Sequence, residues 1–322
     1  MFGKTFLKKT KKIVCIGGGN AMPKAVLRGL KDKDVELSVV SAVLDSGGSS
    51  GRLRDDYDII SPGDLRRAFI ELAEISFDDK ELLNYRFNEG ELEGQVLGNI
   101  IFTALVLNKC SYKEVFERLN SFLGKHKILP STIHNSDLVA ILEDGQEIVG
   151  ETNIDIPKHN SDLKIKKVFL RPEVNVCPQT VKRVGMADAV IIGPGDIYSS
   201  LMQVLLVNGA CEAIRNSKAK KIYIPNLMNK KGESNGFYIE DFVEVIEKRL
   251  QCQLDYVIYN NKEISSQRIK NYKEEHEELI DLVKCKTKSE KLIGADIVPR
   301  EGDIIHDPDK LSKIILELLC KQ

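Results

Sequence analysis

Several chemistries have no place in this sequence. Its seven cysteines (Cys15, Cys110, Cys177, Cys211, Cys252, Cys285 and Cys320) are scattered, with no C-x-x-C and no Cys–His cluster at zinc spacing. An odd, unpatterned set of thiols suits a reducing cytoplasm, and Cys15 and Cys211, among apolar neighbours, read as small core residues. The five histidines form no H-x-x-x-H pair, so neither a zinc site nor a catalytic triad is indicated, and His306 beside Asp307 reads as a loop residue. No apolar run approaches the roughly 20 residues that a membrane span needs. The basic start, MFGKTFLKKTKK, is not followed by a signal-type apolar core. A formal net charge of −1 gives no electrostatic case for nucleic acid or an anionic membrane. Internal repeats, low-complexity runs and long linkers are also missing.

What is present is an ordinary globular balance: 322 residues, 42% hydrophobic and 30% charged. Residues 1–11 read as a solvated basic arm and residues 12–322 as a single α/β domain. The apolar run at 12–16 ends in Gly17-Gly18-Gly19, and a helix follows from Pro23 to about Leu30. Leu37 to Leu44 forms a second strand. SPGDLRRAFIELAE then predicts a helix with Ser61 as N-cap, Pro62 at its first position and Asp64 in its first turn. Ser111 and Glu114 predict a capping box. Between about 126 and 172 the pattern changes to alternation, with a hairpin at Asp144-Gly145. Apolar strands then recur in ADAVIIGPG, KKIYIPNL and LDYVIYNN, and DPDKLSKIILELLC is a capped amphipathic helix. Two β-α series around a β-rich insertion predict a doubly wound, mainly parallel, Rossmann-like sheet. In such sheets ligands bind outside the carboxyl ends of the strands. Four polar segments fall at such ends: Gly17–Asn20, Asp45–Arg54, Gly193–Ser200 and Asn226–Gly236.

Each segment has a chemical reading. Gly17, Gly18, Gly19 and Asn20 make a glycine-rich strand-to-helix turn, whose exposed amides suit phosphate; a tight turn without ligand is the alternative. Asp45 stands where a nicotinamide enzyme holds its ribose carboxylate, but the loop after it lacks the G-K-[ST] of a P-loop. Gly47, Gly48, Ser49 and Ser50 let backbone approach a ligand closely, and Arg52 and Arg54 are expected to clamp an oxyanion; a mobile surface loop is the alternative. Gln95 precedes an apolar helix in which Asn99, a polar residue that needs a partner, can read a polar edge. Gly193, Gly195, Asp196, Tyr198, Ser199 and Ser200 repeat the turn-to-helix pattern, with simple capping as the alternative. Asn226 tips another strand, and Glu233 lies in the polar loop after it. Asp64 joins this ligand-binding set; no residue is assigned a catalytic role.

With these segments in view, the chain resembles the YvcK-like gluconeogenesis-factor family (UPF0052), part of the wider CofD-like superfamily. The shared stretches, in order, are GGG…LRGL, DSGGSSGRLR, PGDLRRA, YRFNEGE…LEGQVLGN, GETNI, IKKVFL, IIGPGDIYSS, NLM…KGESNGF and HDPDKL, from about Lys12 to Lys310. The resemblance implies a cytoplasmic protein that binds a nucleotide sugar such as UDP-N-acetylglucosamine and acts in central carbon metabolism, cell wall and cell shape. The CofD branch instead implies 2-phospho-L-lactate transfer to a deazaflavin with Mg²⁺, for which Asp45 is the metal-ligand candidate. Expected partners are therefore a nucleotide sugar or other nucleotide-diphosphate ligand and a second copy in a homodimer, with neither nucleic acid nor membrane. Three departures bear on activity. The usual G-G-G-T-G start is Gly17-Gly18-Gly19-Asn20-Ala21, with Pro23-Lys24 similar to the CofD branch; a paired acid becomes Asp45-Ser46; and G-H-x-L-G-N carries Gln95 for histidine. An amide cannot shuttle a proton near neutral pH, so binding is favoured over catalysis. A nicotinamide oxidoreductase resting on Gly17, Gly19 and Asp45 is the third alternative.

Overall fold

The computed structural model describes residues 10–108 and 111–321; most of the expected basic arm, and Cys110, lie outside the described residues. The main sheet contains β1 (Lys11–Gly17), β2 (Val35–Ser41), β3 (Lys127–Pro130), β7 (Ala189–Ile192), β8 (Lys220–Tyr223), β10 (Tyr256–Asn260) and β12 (Leu292–Ala295). Its order is β12-β10-β8-β7-β1-β2-β3, with every pairing parallel. Parallel strands covered on both faces need apolar side chains on both, which is why β1 and β7 read as unbroken apolar runs. Along β1, Ile13 and Cys15 enter one core cluster with Leu27, Leu65 and Leu311, whereas Val14 and Ile16 enter another with Leu201, Ile239 and Phe242. The predicted doubly wound α/β fold is therefore the observed one. From β1 the chain builds outward through β2 to β3, then returns to β7 and builds the other way. That reversal opens a crevice at the carboxyl ends of β1 and β7.

A second sheet is antiparallel, β5-β4-β6, from β4 (Asp137–Leu142), β5 (Glu147–Val149) and β6 (Ile165–Arg171). The hairpin at Asp144-Gly145 forms, with Gly145 at φ 91°. The β-rich insertion is shorter than the expected 126–172, because β3 pairs in parallel with β2 as an edge of the main sheet. A two-stranded ribbon joins β9 (Met228–Lys230) to β11 (Leu279–Leu282), in a stretch the sequence presents as a polar loop.

Two local expectations change. Ser61 is not the N-cap: its amide is tied to the Val43 carbonyl at 2.9 Å, and the Gly63–Leu72 helix starts after Pro62. The stretch that reads as an anion-receiving loop, or as a mobile surface loop, is mostly a helix, Gly48–Tyr57. Its serines and glycines are poor helix formers in isolation, but Ser49 and Ser50 are buried and hydrogen-bonded from outside, and a Cβ on Gly51 would collide with the Ser46 carbonyl. The Ser111–Glu114 capping box forms, and Asp307 caps the Pro308–Cys320 helix through the amides of Asp309 and Lys310. Cys15 is buried and Cys211 half-buried. Among the described residues, no helix is long and apolar enough to cross a membrane.

Candidate functional site

The crevice is a cleft of about 520 Å³. Its floor is the turn after β1, where Gly18, Gly19, Asn20 and Ala21 line it. Gly18 has to be glycine, since a Cβ there would collide with the Asp64 carboxylate. Gly17 ends β1 beneath this turn, outside the lining. Beside it lie Asp45, Gly47, Gly48, Ser49 and Ser50, at the start of the Gly48–Tyr57 helix. The Gly47 amide donates to Asp45 Oδ1 at 2.8 Å, and no side chain caps the helix. Its first amides have no partner within the helix, and Gly48, Ser49 and Ser50, which carry them, line the cleft. Ser49 is locked from behind: its hydroxyl donates to Gln95 Oε1 at 2.7 Å and accepts from the Val96 amide and Asn99 Nδ2. Gln95 thus stands behind the wall, whereas Asn99 reaches it.

On the β7 side, Gly195, Asp196, Ser200, Gln203 and Asn226 line the cleft. Gly193, Tyr198 and Ser199 do not, and for two of them the cause is visible. Glu233 Oε2 accepts the amides of Tyr198 and Ser199, both at 2.9 Å, and Oε1 accepts the Ser199 hydroxyl at 2.7 Å. The helix start that reads in sequence as an anion cradle holds a carboxylate of the chain itself. Burial, then Asp196, raises the Glu233 carboxyl, with Lys230 and Ser199 opposing. Asp155, Asp196 and Glu233 bring ligand atoms within 4.8 Å of one another. That trio already has its cation, for Lys230 Nζ pairs with Asp155, with Asp196 at 2.9 Å and with Glu233 at 3.5 Å. Burial alone would lower the Lys230 ammonium, but the three acids hold it above its ordinary value.

The third wall comes from the short helix Glu151–Asp155 that follows β5, through Glu151, Thr152, Asp155 and, just after it, Ile156. Thr152 and Ser46 bond each other, hydroxyl to hydroxyl at 3.2 Å and amide to hydroxyl at 3.1 Å. This brings Glu151 to Asp45, and the two carboxyls share a hydrogen bond. Burial, then Asp45 and Asp155, pushes Glu151 up to about 9, so it keeps its proton and donates to Asp45. Burial, then Asp64, raises Asp45 as well, against the Gly47 amide. The second acid missing at Ser46 therefore arrives from Glu151. Asp45 and Glu151, with Asp64 nearby, are the carboxyls that would hold the Mg²⁺ that the transferase branch implies.

Positive charge enters from three arginines not singled out in the sequence: Arg66, Arg67 and Arg86. Arg67 pairs with Asp64. Arg52, expected to supply that charge, points elsewhere; it is exposed, and its Nη2 donates to the Glu93 carbonyl at 2.8 Å. The reason is helical: Arg52 lies a turn along the Gly48–Tyr57 helix, past the end that meets the cleft.

A family model described as 2-phospho-L-lactate transferase CofD matches residues 13–298. The chain is 36% identical over 312 residues to a Thermotoga maritima protein, covering 94% of this chain and 98% of that one. It is 33% identical to a protein of Bacillus subtilis named gluconeogenesis factor, covering 96% of this chain and 97% of the other. A crystal structure of a UPF0052 family member from Bacillus halodurans superposes with a TM-score of 0.86 at 31% identity, covering 96% of this chain and 100% of that one.

Proposed function

The chain belongs to the CofD family, in its YvcK-like gluconeogenesis-factor branch, and from that premise we propose that it is a regulatory protein that binds a nucleotide sugar. The observation that carries the reading is the cleft's chemistry. An open glycine turn and an uncapped helix start offer backbone amides to phosphate, and among the described residues no histidine or cysteine lines the cleft. Asn20 and Asn226 supply amide edges for sugar or base, although Asn226 already donates to Asp196 Oδ1 at 2.7 Å. A role in central carbon metabolism follows from the relatives' name. Action in the cytoplasm on cell wall and cell shape, as a homodimer, is the finer form of the same proposal.

The test is calorimetry on the whole chain with UDP-N-acetylglucosamine, UDP, a guanosine nucleotide and NAD, with Mg²⁺ present. Saturable heat is expected with the UDP compounds. No heat with either of them sinks the reading, and NAD binding alone would favour an oxidoreductase.

A second reading, transfer of a 2-phospho-L-lactyl group, is favoured by the Asp45–Glu151 pair. Mg²⁺ held there would screen the charge of a diphosphate. Glu151, which retains a proton near neutral pH, has to release it for Mg²⁺ to bind, so Mg²⁺ affinity is expected to rise with pH. Turnover of a lactyl-diphospho-nucleoside with a deazaflavin acceptor would establish this activity.

A further inference from the structure

Arg66 is built into the cleft wall without an ion-pair partner among the described residues. Its Nε donates to Asn99 Oδ1 at 3.0 Å, and its Nη1 donates to Asn84 Oδ1. Both acceptors are neutral amides, so they aim the guanidinium without neutralising it. The side chain also needs Gly98, where a Cβ would stand 2.7 Å from Arg66 Cδ and 2.6 Å from the Leu83 carbonyl. Arg86 is fixed in the same way, its Nη1 donating to the Gly94 carbonyl at 2.7 Å. Among the described residues, neither arginine has a carboxylate within ion-pair distance. Burial, then the charges of Arg67 and Arg86, lowers Arg66 to about 10, with the charge of Asp64 opposing.

The position of this charge matters. A Cβ on Gly18 would meet Asp64, one on Gly63 would meet Asp45 and Ser50, and Ser50 is joined through Asn99 to Arg66. Two carboxylates therefore separate the open glycine turn from the arginine end. One continuous polyphosphate lying across both ends would pass over them, whereas two separate anions would each sit on a positive pole. We propose that Arg66 and Arg86 form a second oxyanion site that takes a small phosphate monoester beside the nucleotide, whose own phosphates take the glycine turn and the helix start. The inference rests on the nucleotide reading only for what occupies the rest of the cleft.

The test is titration of the full chain with inorganic phosphate by calorimetry, first alone and then with saturating UDP. Phosphate is expected to bind in both conditions. Arg86→Gln and Arg66→Gln are each expected to weaken it tenfold or more while changing UDP affinity less than threefold; thermal melting checks that both variants fold. Arg86 is exposed, so its variant tests the site without disturbing the core. Phosphate binding that depends on these arginines, without any UDP binding, supports the anion site and removes the nucleotide reading. Loss of phosphate binding on UDP saturation overturns the inference, since the guanidiniums would then hold the nucleotide's own phosphate. Undiminished phosphate binding in both variants, or none in the wild type, overturns it too.

Discussion

Glu151 holds a proton that an exposed glutamate would have lost by neutral pH, because burial and the neighbouring Asp45 disfavour its charge. Its folded pKa, about 9, lies above its unfolded value, so between the two the folded state binds more protons. Stability from this group is complete below the unfolded value and is lost as pH rises toward 9. Glu151→Gln removes that dependence. The melting temperature of the variant relative to wild type is expected to climb steadily from pH 5 to pH 9. A constant difference would mean that Glu151 titrates as an ordinary carboxyl. The sequence offered the stretch GETNI but no reason to single out this glutamate, which comes after a hairpin and looks solvated. Arg66 and Arg67 were hidden likewise, as charges on a helix whose N-terminal signals dominate its pattern. Gly18, Asn20 and Ser49 were legible because a strand that ends in small residues constrains the turn beyond it.

At the scale of elements, helix starts and strand ends decide which groups are available. Lys230, at the end of β9, is nearly enclosed, with 9% side-chain exposure, and balances three acids from three elements. Lys230→Met would leave Asp155, Asp196 and Glu233 facing one another. Removing one partner of a buried ion pair typically costs about 3–5 kcal/mol. Urea unfolding at pH 7 is expected to register a loss of that size, and a loss under about 1 kcal/mol would show that the acids neutralise each other by taking up protons. The β9 ribbon could not be read from NLMNKKGESNGF, because two of its strand residues are polar and its partner β11 lies some fifty residues away. The parallel strands were readable from their apolar runs alone. The Gly48–Tyr57 helix was not, since its stability comes from Gln95, Val96 and Asn99 rather than from its own propensities.

At the scale of the molecule, the cleft joins two sheets. Arg54, buried in the Gly48–Tyr57 helix, donates to the Leu44 carbonyl at 3.2 Å and pairs with Asp137 at the start of β4. Ser46 and Thr152 make a second link. A ligand that touches both Gly47–Ser50 and Glu151–Ile156 ties the small sheet to the large one more firmly. Hydrogen exchange at residues 137–156 is therefore expected to slow when UDP-N-acetylglucosamine binds. Unchanged exchange there, with binding confirmed, would place the ligand on the main sheet alone. The overall topology was legible in sequence because it follows from strand–helix alternation; the meeting of the two sheets was not, because it depends on contacts a hundred residues apart. Glu233 adds a last consequence. The pseudo-repeat of two glycine turns offers a symmetric berth, yet one of the two is plugged by the protein's own carboxylate. An incoming diphosphate is then turned toward the β1 side of the cleft, which gives it one heading.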